Sequence, residues 1–144
     1  MKLLITGGAG FIGAHVLHHF CKTYPEYEMY CLDSLSYAAQ YENIEELEAL
    51  KSFNFIKADL NDAELLHQLF IGIGFTHIIH LAAESHVDNS ISDPLLFART
   101  NVMGTLNLLE AARTHWNASE DHLFYHISTD EVFGALGATG QYEM

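Results

Sequence analysis

The residues best placed for chemistry lie at positions 127–133, which read Ile-Ser-Thr-Asp-Glu-Val-Phe. They follow an apolar run typical of a strand, so the hydroxyl of Thr129 and the carboxyl groups of Asp130 and Glu131 come directly after a strand end. In an open parallel α/β sheet, the ligand crevice lies at the carboxyl ends of the strands. Two adjacent carboxyl groups there indicate general acid and general base chemistry.

A glycine-rich turn occupies residues 6–13, which read Thr-Gly-Gly-Ala-Gly-Phe-Ile-Gly. It fits the G-x-G-x-x-G pattern of dinucleotide-binding turns, and Gly7, Gly10 and Gly13 also have the 3+3 spacing of short-chain dehydrogenases. Asp33 stands 20 residues after Gly13, where an acidic residue accepts hydrogen bonds from the ribose hydroxyls and repels a 2′-phosphate. We therefore expect NAD rather than NADP, with its pyrophosphate at a helix N-terminus.

The elements that must position these residues alternate along the chain. Apolar, β-rich runs predict strands, and segments of helical periodicity between them predict helices. This alternation predicts an α/β fold, a doubly wound parallel sheet of the Rossmann type with strand order 3-2-1-4-5, incomplete at its C-terminal end. The predicted strands are 2–6, 28–32, 53–57, 76–82 and 122–128, and the predicted helices are 11–22, 40–50, 62–71 and 94–115.

Local signals refine two of the helices. Asn61 is expected to cap the third helix, with Glu64 at the reciprocal position of a capping box. Asp93 followed by Pro94 predicts the start of the fourth helix. An apolar stripe along that helix is expected to be either core or an oligomer contact, and it consists of Leu95, Ala98, Val102, Leu106 and Leu109.

Length and composition set the class of protein. The chain has 144 residues, of which 49% are hydrophobic, and this fits one domain, residues 1–144. Six basic against 19 acidic side chains give a formal net charge of −13, which disfavours binding to nucleic acid or to anionic membranes. No apolar run approaches a membrane span, so we expect a cytoplasmic protein with Cys21 and Cys31 reduced.

Ten histidines raise the question of a metal site. His15 has helical spacing to His18 and His19, but no cysteine or acidic residue nearby in the sequence completes a ligand set. We expect no metal there. The histidines in the strand-like runs, His80 among them, are expected to be hydrogen-bonded packing residues.

Several segments together resemble the dTDP-glucose 4,6-dehydratases, which are extended short-chain dehydrogenase/reductases that act on nucleotide sugars. The resemblance runs through the whole chain but covers only the first part of the family's length. It implies that the chain is a fragment, with the remaining strands and the substrate domain absent. The segments that carry it are residues 6–13, 33–38, 58–60, 81–88, 100–101 and 128–134.

The resemblance also implies a role for individual residues in binding NAD and the sugar. The glycine turn, with the amides of Phe11 and Ile12, holds the pyrophosphate, and Ser85 faces the sugar. The other implied cofactor contacts are Asp33, Ser34, Leu35 and Ser36 around the adenosine ribose, Asp59 and Leu60 beside the adenine, Leu81, Ala82 and Ala83 along the path to the nicotinamide, and Thr100.

The chemistry that the resemblance implies is an NAD-dependent lyase reaction through transient NADH. The sugar is oxidised at C4, loses water across C5 and C6, and is reduced at C6. Thr129 hydrogen-bonds the 4-hydroxyl, Asp130 protonates the departing C6 hydroxyl and Glu131 removes the C5 proton. The two carboxyl groups must then hold opposite protonation states, which a shared site can achieve.

Some features depart from the family pattern. No Tyr-x-x-x-Lys pair, the family's base for oxidation at C4, occurs in the 144 residues, and Ala39 and Asn89 stand where the family commonly has glycine and arginine. The fragment alone is therefore expected to be inactive. The full-length protein is expected to be a homodimer. Alternatives are another extended short-chain enzyme, such as an epimerase or decarboxylase, and a non-catalytic NAD-binding module.

Overall fold

The computed structural model describes residues 1–116 and 121–134. Within them, five strands form one parallel sheet in the order β3-β2-β1-β4-β5, which confirms the predicted fold class and strand order. Register is continuous across the sheet, since Thr6 pairs with both Leu32 and His80, and His80 pairs with His126. The strands are β1 (Lys2–Thr6), β2 (Glu28–Asp33), β3 (Phe53–Lys57), β4 (His77–His80) and β5 (Leu123–His126).

Helices cover both faces of the sheet, because successive strand residues point to opposite sides. Leu3 and Ile5 of β1 pack with Leu17 in one buried cluster, whereas Leu4 packs with Phe70 and Leu108 in the other. The helices are α1 (Phe11–Thr23), α2 (Ala63–Ile73), α3 (Val87–Ser92), α4 (Pro94–Phe97) and α5 (Thr105–His115).

The predicted helix 40–50 is wrong in type. This stretch forms two short 3-10 turns, Tyr41–Asn43 and Glu45–Ala49, although Ile44 and Leu47 between and within them are buried. Four glutamates crowd the stretch, with Glu42 and Glu46 four residues apart. Like charges at that spacing destabilise an α-helix, so the apolar residues are buried without a continuous helix.

The capping prediction for α2 is wrong by one residue. Asp62 is the N-cap, and its side chain accepts a 3.0 Å hydrogen bond from the amide of Leu65. Asn61 instead donates through its backbone and side-chain nitrogens to Asp59 Oδ1, both at 2.9 Å. Because this Asx turn already engages Asn61, the next residue, Asp62, caps the helix.

The start of the long helix at Asp93 is confirmed, because the Asp93 side chain accepts a 3.1 Å hydrogen bond from the amide of Leu96. Between α4 and α5, residues Ala98–Gly104 form a π-helical segment. The predicted apolar stripe is not core, because its large side chains are exposed on both sides of this segment: Leu95 is 67%, Val102 62%, Leu106 52% and Leu109 44% exposed.

The two cysteines are buried, and both are free thiols, as expected. Burial, with the nearby Asp33 charge adding to it, raises the pKa of Cys31 to about 12. Cys31 is therefore a protonated packing residue at neutral pH. No helix in the described part of the chain is long and apolar enough to cross a membrane.

Candidate active site

The three segments singled out in the sequence lie side by side at the carboxyl edge of the sheet. Backbone hydrogen bonds continue the strand pairing past the strand ends and hold the segments in register. The amide of Gly7 donates to Leu32 O at 3.0 Å, that of Leu81 to Thr6 O at 3.1 Å, and that of Ile127 to His80 O at 3.0 Å. The edge therefore presents the glycine turn, the 81–86 segment and the segment after β5 to one crevice.

The glycine turn is shaped by close backbone approaches that exclude side chains. Gly7 has a φ of +71°, and a Cβ there would lie 2.6 Å from Ala82 N. A Cβ at Gly13 would lie 2.0 Å from Gly7 O, whereas one at Gly10 would meet only Gly7 O, at 3.3 Å. Gly7 and Gly13 are thus required by the fold, while a Cβ at Gly10 would make one tight contact that a small shift of the backbone could relieve.

Asp33 anchors the glycine turn to the end of β2. Its Oδ2 accepts a 2.9 Å hydrogen bond from the Ala9 amide, and its Oδ1 accepts one of 2.8 Å from the Leu35 amide. The second bond stabilises Leu35 at a φ of +56°, in the left-handed region. Asp33 is 7% exposed. Each carboxylate oxygen can accept a further hydrogen bond, so the anchoring role leaves acceptor capacity for a ligand hydroxyl.

The N-terminus of α1 suits an anionic group. Its N-cap is Gly10, without a side-chain cap among the described residues, and its first turn contains no acidic residue. The side chains of Phe11 and Ile12 are 78% and 63% exposed. First-turn amides of a helix have no intrahelical acceptor, and the helix dipole adds partial positive charge at this end.

A buried hydrogen-bond chain lies beneath the 81–83 segment. Thr6 Oγ1 is 2.6 Å from His80 Nδ1, His80 Nε2 is 2.9 Å from Thr105 Oγ1, and the Ala82 amide donates to Thr6 Oγ1 at 3.4 Å. His80 is 1% exposed and stacks on His126. Burial, with His126 adding to it, lowers the pKa of His80 to about 4. The expectation of hydrogen-bonded packing for His80 is confirmed, but sequence reasoning missed its partners.

Glu84 is a second residue that sequence reasoning missed. Asn101, on the π-helical segment, accepts from the Glu84 amide and donates to the Glu84 carbonyl, both at 2.8 Å. Glu84 is 7% exposed, and its Oε2 has no hydrogen-bond partner among the described residues. A buried glutamate between alanine and serine is not distinguishable in the sequence from a surface one. The Asn101 clamp fixes the backbone just before Ser85, which is exposed.

The remaining adenosine-side residues occupy different environments. Ser34, Ser36 and Asp59 are exposed. Leu60 is buried in the core, so its side chain is not available to a ligand, and its carbonyl accepts a 3.0 Å hydrogen bond from the side chain of Asn107. Thr100 is half-buried on the π-helical segment. Such segments frequently occur at functional sites, where they reorient side chains.

The candidate acid and base follow β5 on a short 3-10 turn, Asp130–Phe133. Thr129 is exposed directly before it, and Gly134 follows with a φ of +81°. The side chains of Asp130 and Glu131 lie outside what the structure describes. Register with β4 places this turn at the same edge as Ala83 and Ser85.

The histidines on α1 are engaged locally. His15 Nδ1 lies 2.8 Å from Phe11 O, and His18 contacts the carbonyl of Asn43 at 2.8 Å and the carboxylate of Glu46 at 3.4 Å. Across residues 1–116 and 121–134, no group of three or more His, Cys, Asp or Glu side chains could hold a metal ion.

Comparison with known proteins identifies related chains. Residues 4–144 match the model of the GDP-mannose 4,6 dehydratase family. The dTDP-glucose 4,6-dehydratase of Salmonella typhimurium is 43% identical over 141 residues, which are 94% of this chain and 39% of that protein. The chain spans about two fifths of the length of the curated relatives it matches.

Solved structures agree on the fold. The dTDP-glucose 4,6-dehydratase of Streptomyces venezuelae, crystallised with NAD and TYD bound, superposes with a TM-score of 0.82 at 41% identity, covering 96% of this chain and 42% of that one. The UDP-Glc/GlcNAc 4-epimerase of Campylobacter jejuni also gives a TM-score of 0.82, at 33% identity, covering 99% of this chain and 43% of that one. This dehydratase and this epimerase therefore superpose on the fold equally well.

Replacing Gly13 should destabilise the fold far more than replacing Gly10. In Gly13→Ala the new methyl group collides with the backbone of Gly7, and we expect a loss of about 3 kcal/mol or more in the free energy of unfolding. Gly10→Ala, the matched control, should cost no more than about 1 kcal/mol. Urea unfolding of both variants measures the difference, and equal stabilities would contradict the geometry of this turn.

Stability should fall in mild acid because His80 is buried as the neutral imidazole. Its pKa is about 4 in the folded protein against 6.5 for a free side chain, so the unfolded chain binds more protons between these values. The stabilisation is complete above about pH 6.5, and about 2 kcal/mol of it is lost between about pH 7 and about pH 5.

Urea unfolding at both pH values measures this loss. His80→Asn should remove the contribution of His80 to the slope of the unfolding free energy against pH. His19→Asn, on the exposed face of α1, controls for the loss of an imidazole as such. An unchanged slope in His80→Asn would show that His80 does not account for the pH dependence.

Proposed function

Because residues 4–144 match its model, this chain belongs to the GDP-mannose 4,6 dehydratase family, and we propose that it is the NAD-binding part of a nucleotide-sugar 4,6-dehydratase. The observation that carries the proposal is the placement of Thr129, Asp130 and Glu131 directly after β5, at the sheet edge that also bears the glycine turn. We assign residues 1–144 to one Rossmann domain. The activity, substrate and partners proposed below are those of the whole protein.

The glycine turn fits the pyrophosphate of NAD. A Cβ at Gly10 would meet Gly7 O at 3.3 Å, and the absence of a side chain there lets a ligand approach the backbone beside the first turn of α1. The amides of Phe11 and Ile12 lie at the helix N-terminus, where the dipole favours a negative group. This local attraction is needed because the net charge of −13 opposes an anionic ligand at longer range.

Asp33 would bind the adenosine ribose and select NAD. Its oxygens are fixed by the Ala9 and Leu35 amides and keep lone pairs for ribose hydroxyls. The negative charge would repel the 2′-phosphate of NADP. Ser34 and Ser36 lie in the exposed loop that follows, and Asp59 is exposed at the end of β3, where the adenine would lie.

The nicotinamide end of the cofactor would lie along Leu81, Ala82 and Ala83, with Thr100 behind it. Bound NAD would supply the acceptor for hydride from the sugar C4 and later return that hydride to C6. Thr129 would hydrogen-bond the 4-hydroxyl, and Ser85 would contact the sugar.

Asp130 and Glu131 would act as general acid and general base in the elimination of water. Asp130, protonated, would donate to the leaving C6 hydroxyl, while Glu131, ionised, would remove the proton from C5. Their ordinary pKa values of about 3.9 and about 4.3 would leave both ionised at neutral pH. Like-charge repulsion and desolvation in a shared site would raise the pKa of one of them, so that it could remain protonated while the other is ionised.

This adjacent pair favours a dehydratase over an epimerase. The overall fold does not discriminate, since a dehydratase and an epimerase superpose on it with the same TM-score of 0.82. Epimerisation at C4 involves no departing C6 hydroxyl and needs no acid for it. We propose dTDP-glucose as the substrate, in line with the 43% identity to the Salmonella typhimurium enzyme over 94% of this chain.

The exposed stripe on the long helix supports a homodimer of the whole protein. Leu95, Val102, Leu106 and Leu109 are exposed, whereas Leu108 is buried in the core. Contiguous apolar side chains of this kind typically mark a protein contact. A second copy could pair the same stripe with itself about a twofold axis.

Removing either carboxyl group should impair elimination specifically. In the whole protein, Asp130→Asn and Glu131→Gln should each slow formation of the 4-keto-6-deoxy product by a factor on the order of 10²–10⁴. Oxidation at C4 should persist, so NADH should accumulate and its absorbance should rise when substrate is mixed with enzyme. Glu26→Gln, an exposed glutamate near the amino end of β2, is the matched control. Product formation at the unsubstituted rate in both variants would refute the assignment.

Asp33→Asn should reduce discrimination between the two cofactors. The lost ribose hydrogen bond is worth about 1.5–3 kcal/mol, and the repulsion of a 2′-phosphate is relieved. Since Asp33 also anchors Ala9 and Leu35, the readout is the ratio of NAD to NADP affinity and not either affinity alone. Competitive titration measures this ratio, and equal affinities in the unsubstituted protein would exclude Asp33 as the selector.

A further inference from the structure

We infer that His80 is a positioning residue: as the neutral tautomer with its proton on Nε2, it orients Thr6 so that Thr6 holds the 81–83 segment against the glycine turn. Thr6 begins the glycine turn, but no role in contacting the cofactor or the sugar has been assigned above to its side chain or to His80. The inference deepens the proposed function, and it rests on that function for the statement that the 81–83 segment lines the path of the nicotinamide.

The hydrogen-bond directions we assign are those that give the Ala82 amide, the Thr6 hydroxyl and the His80 ring one acceptor each. The Ala82 N–H can only donate, so Thr6 Oγ1 accepts it. The hydroxyl hydrogen of Thr6 then has His80 Nδ1, 2.6 Å away, as an acceptor. An acceptor at Nδ1 places the proton of a neutral imidazole on Nε2, which donates to Thr105 Oγ1 at 2.9 Å. The donors of Ala82, Thr6 and His80 thereby each have an acceptor.

Protonation of His80 would break this order. An imidazolium carries a hydrogen on Nδ1 as well, so it would donate to Thr6 Oγ1 and deprive the Thr6 hydroxyl of its acceptor. The surroundings oppose the charge too, because His80 is 1% exposed and stacks on His126, with ring centroids 5.1 Å apart. The depressed pKa of about 4 is consistent with this environment.

This hydrogen-bond chain lies between the site proposed for the pyrophosphate and the site proposed for the nicotinamide. Gly7 of the pyrophosphate-binding turn lies directly against Ala82, since a Cβ at Gly7 would be 2.6 Å from Ala82 N. Thr6, the residue before Gly7, holds that same nitrogen through its hydroxyl. Loss of the Thr6 hydroxyl would free the Ala82 amide and loosen the 81–83 segment, while Asp33 and the α1 N-terminus would keep the other end in place.

The first test is the tautomer itself, measured by ¹⁵N NMR of histidine side chains in the unsubstituted protein. We expect His80 to carry its proton on Nε2 and to show no titration between about pH 5.5 and about pH 8. A proton on Nδ1, or titration within that range, would overturn the inference. This measurement needs neither a variant nor the cofactor.

The second test compares Thr6→Val with Thr6→Ser in the whole protein. Valine removes the hydroxyl at nearly constant shape, whereas serine keeps it. Thr6→Val should shift the Ala82 amide resonance, produce mixed His80 tautomers and lower kcat about 10-fold to 100-fold, with the NAD dissociation constant changed less than about twofold. Thr6→Ser should restore the tautomer and most of kcat.

Equal kcat in the two variants, or a loss in Thr6→Val that appears only in NAD affinity, would contradict a positioning role. Failure of the proposed function would look different: the unsubstituted protein would show no dehydration of dTDP-glucose, while the Nε2–H tautomer and the Ala82 shift would still be measurable. The two proposals can therefore fail separately.

Discussion

The site depends on one close contact between two pieces of backbone. Gly7, in its left-handed conformation, lies so near Ala82 that no side chain fits between them, and Gly13 lies equally close to Gly7. These approaches join β1, α1 and the segment after β4 into one rigid edge. Asp33 adds β2 to that edge through the Ala9 amide, so the ends of three parallel strands are fixed relative to one another.

Much of this arrangement could be predicted from the sequence, because it follows from short-range rules. The alternation of apolar strand-like runs with helical periodicity predicted the parallel sheet and its strand order. The glycine spacing, together with Asp33, predicted the position of the dinucleotide-binding turn. The failures have physical causes as well. A cluster of glutamates disfavours an α-helix over residues 40–50, which form 3-10 turns instead, and an Asx turn between Asn61 and Asp59 leaves the cap of α2 to Asp62.

What the sequence could not reveal is which polar residues become buried partners across the fold. Thr6 and His80 are 74 residues apart, and Glu84 and Asn101 are 17 apart, yet both pairs are hydrogen-bonded at the crevice. Such pairs have no sequence spacing that would identify them without the tertiary structure. They also show that the polar groups beneath the 81–86 segment support it rather than face solvent, which is how a rigid edge can present a cofactor accurately.

The central claim is that this edge serves a 4,6-dehydratase, and the fate of the hydrogen at C4 of the sugar tests it most directly. The whole protein would be supplied with NAD and dTDP-glucose deuterated at C4, and the product would be analysed by NMR. The account predicts a 4-keto-6-deoxy sugar with the deuterium at C6. A product that retains deuterium at C4 with that centre inverted would identify an epimerase, and unchanged substrate would contradict both activities.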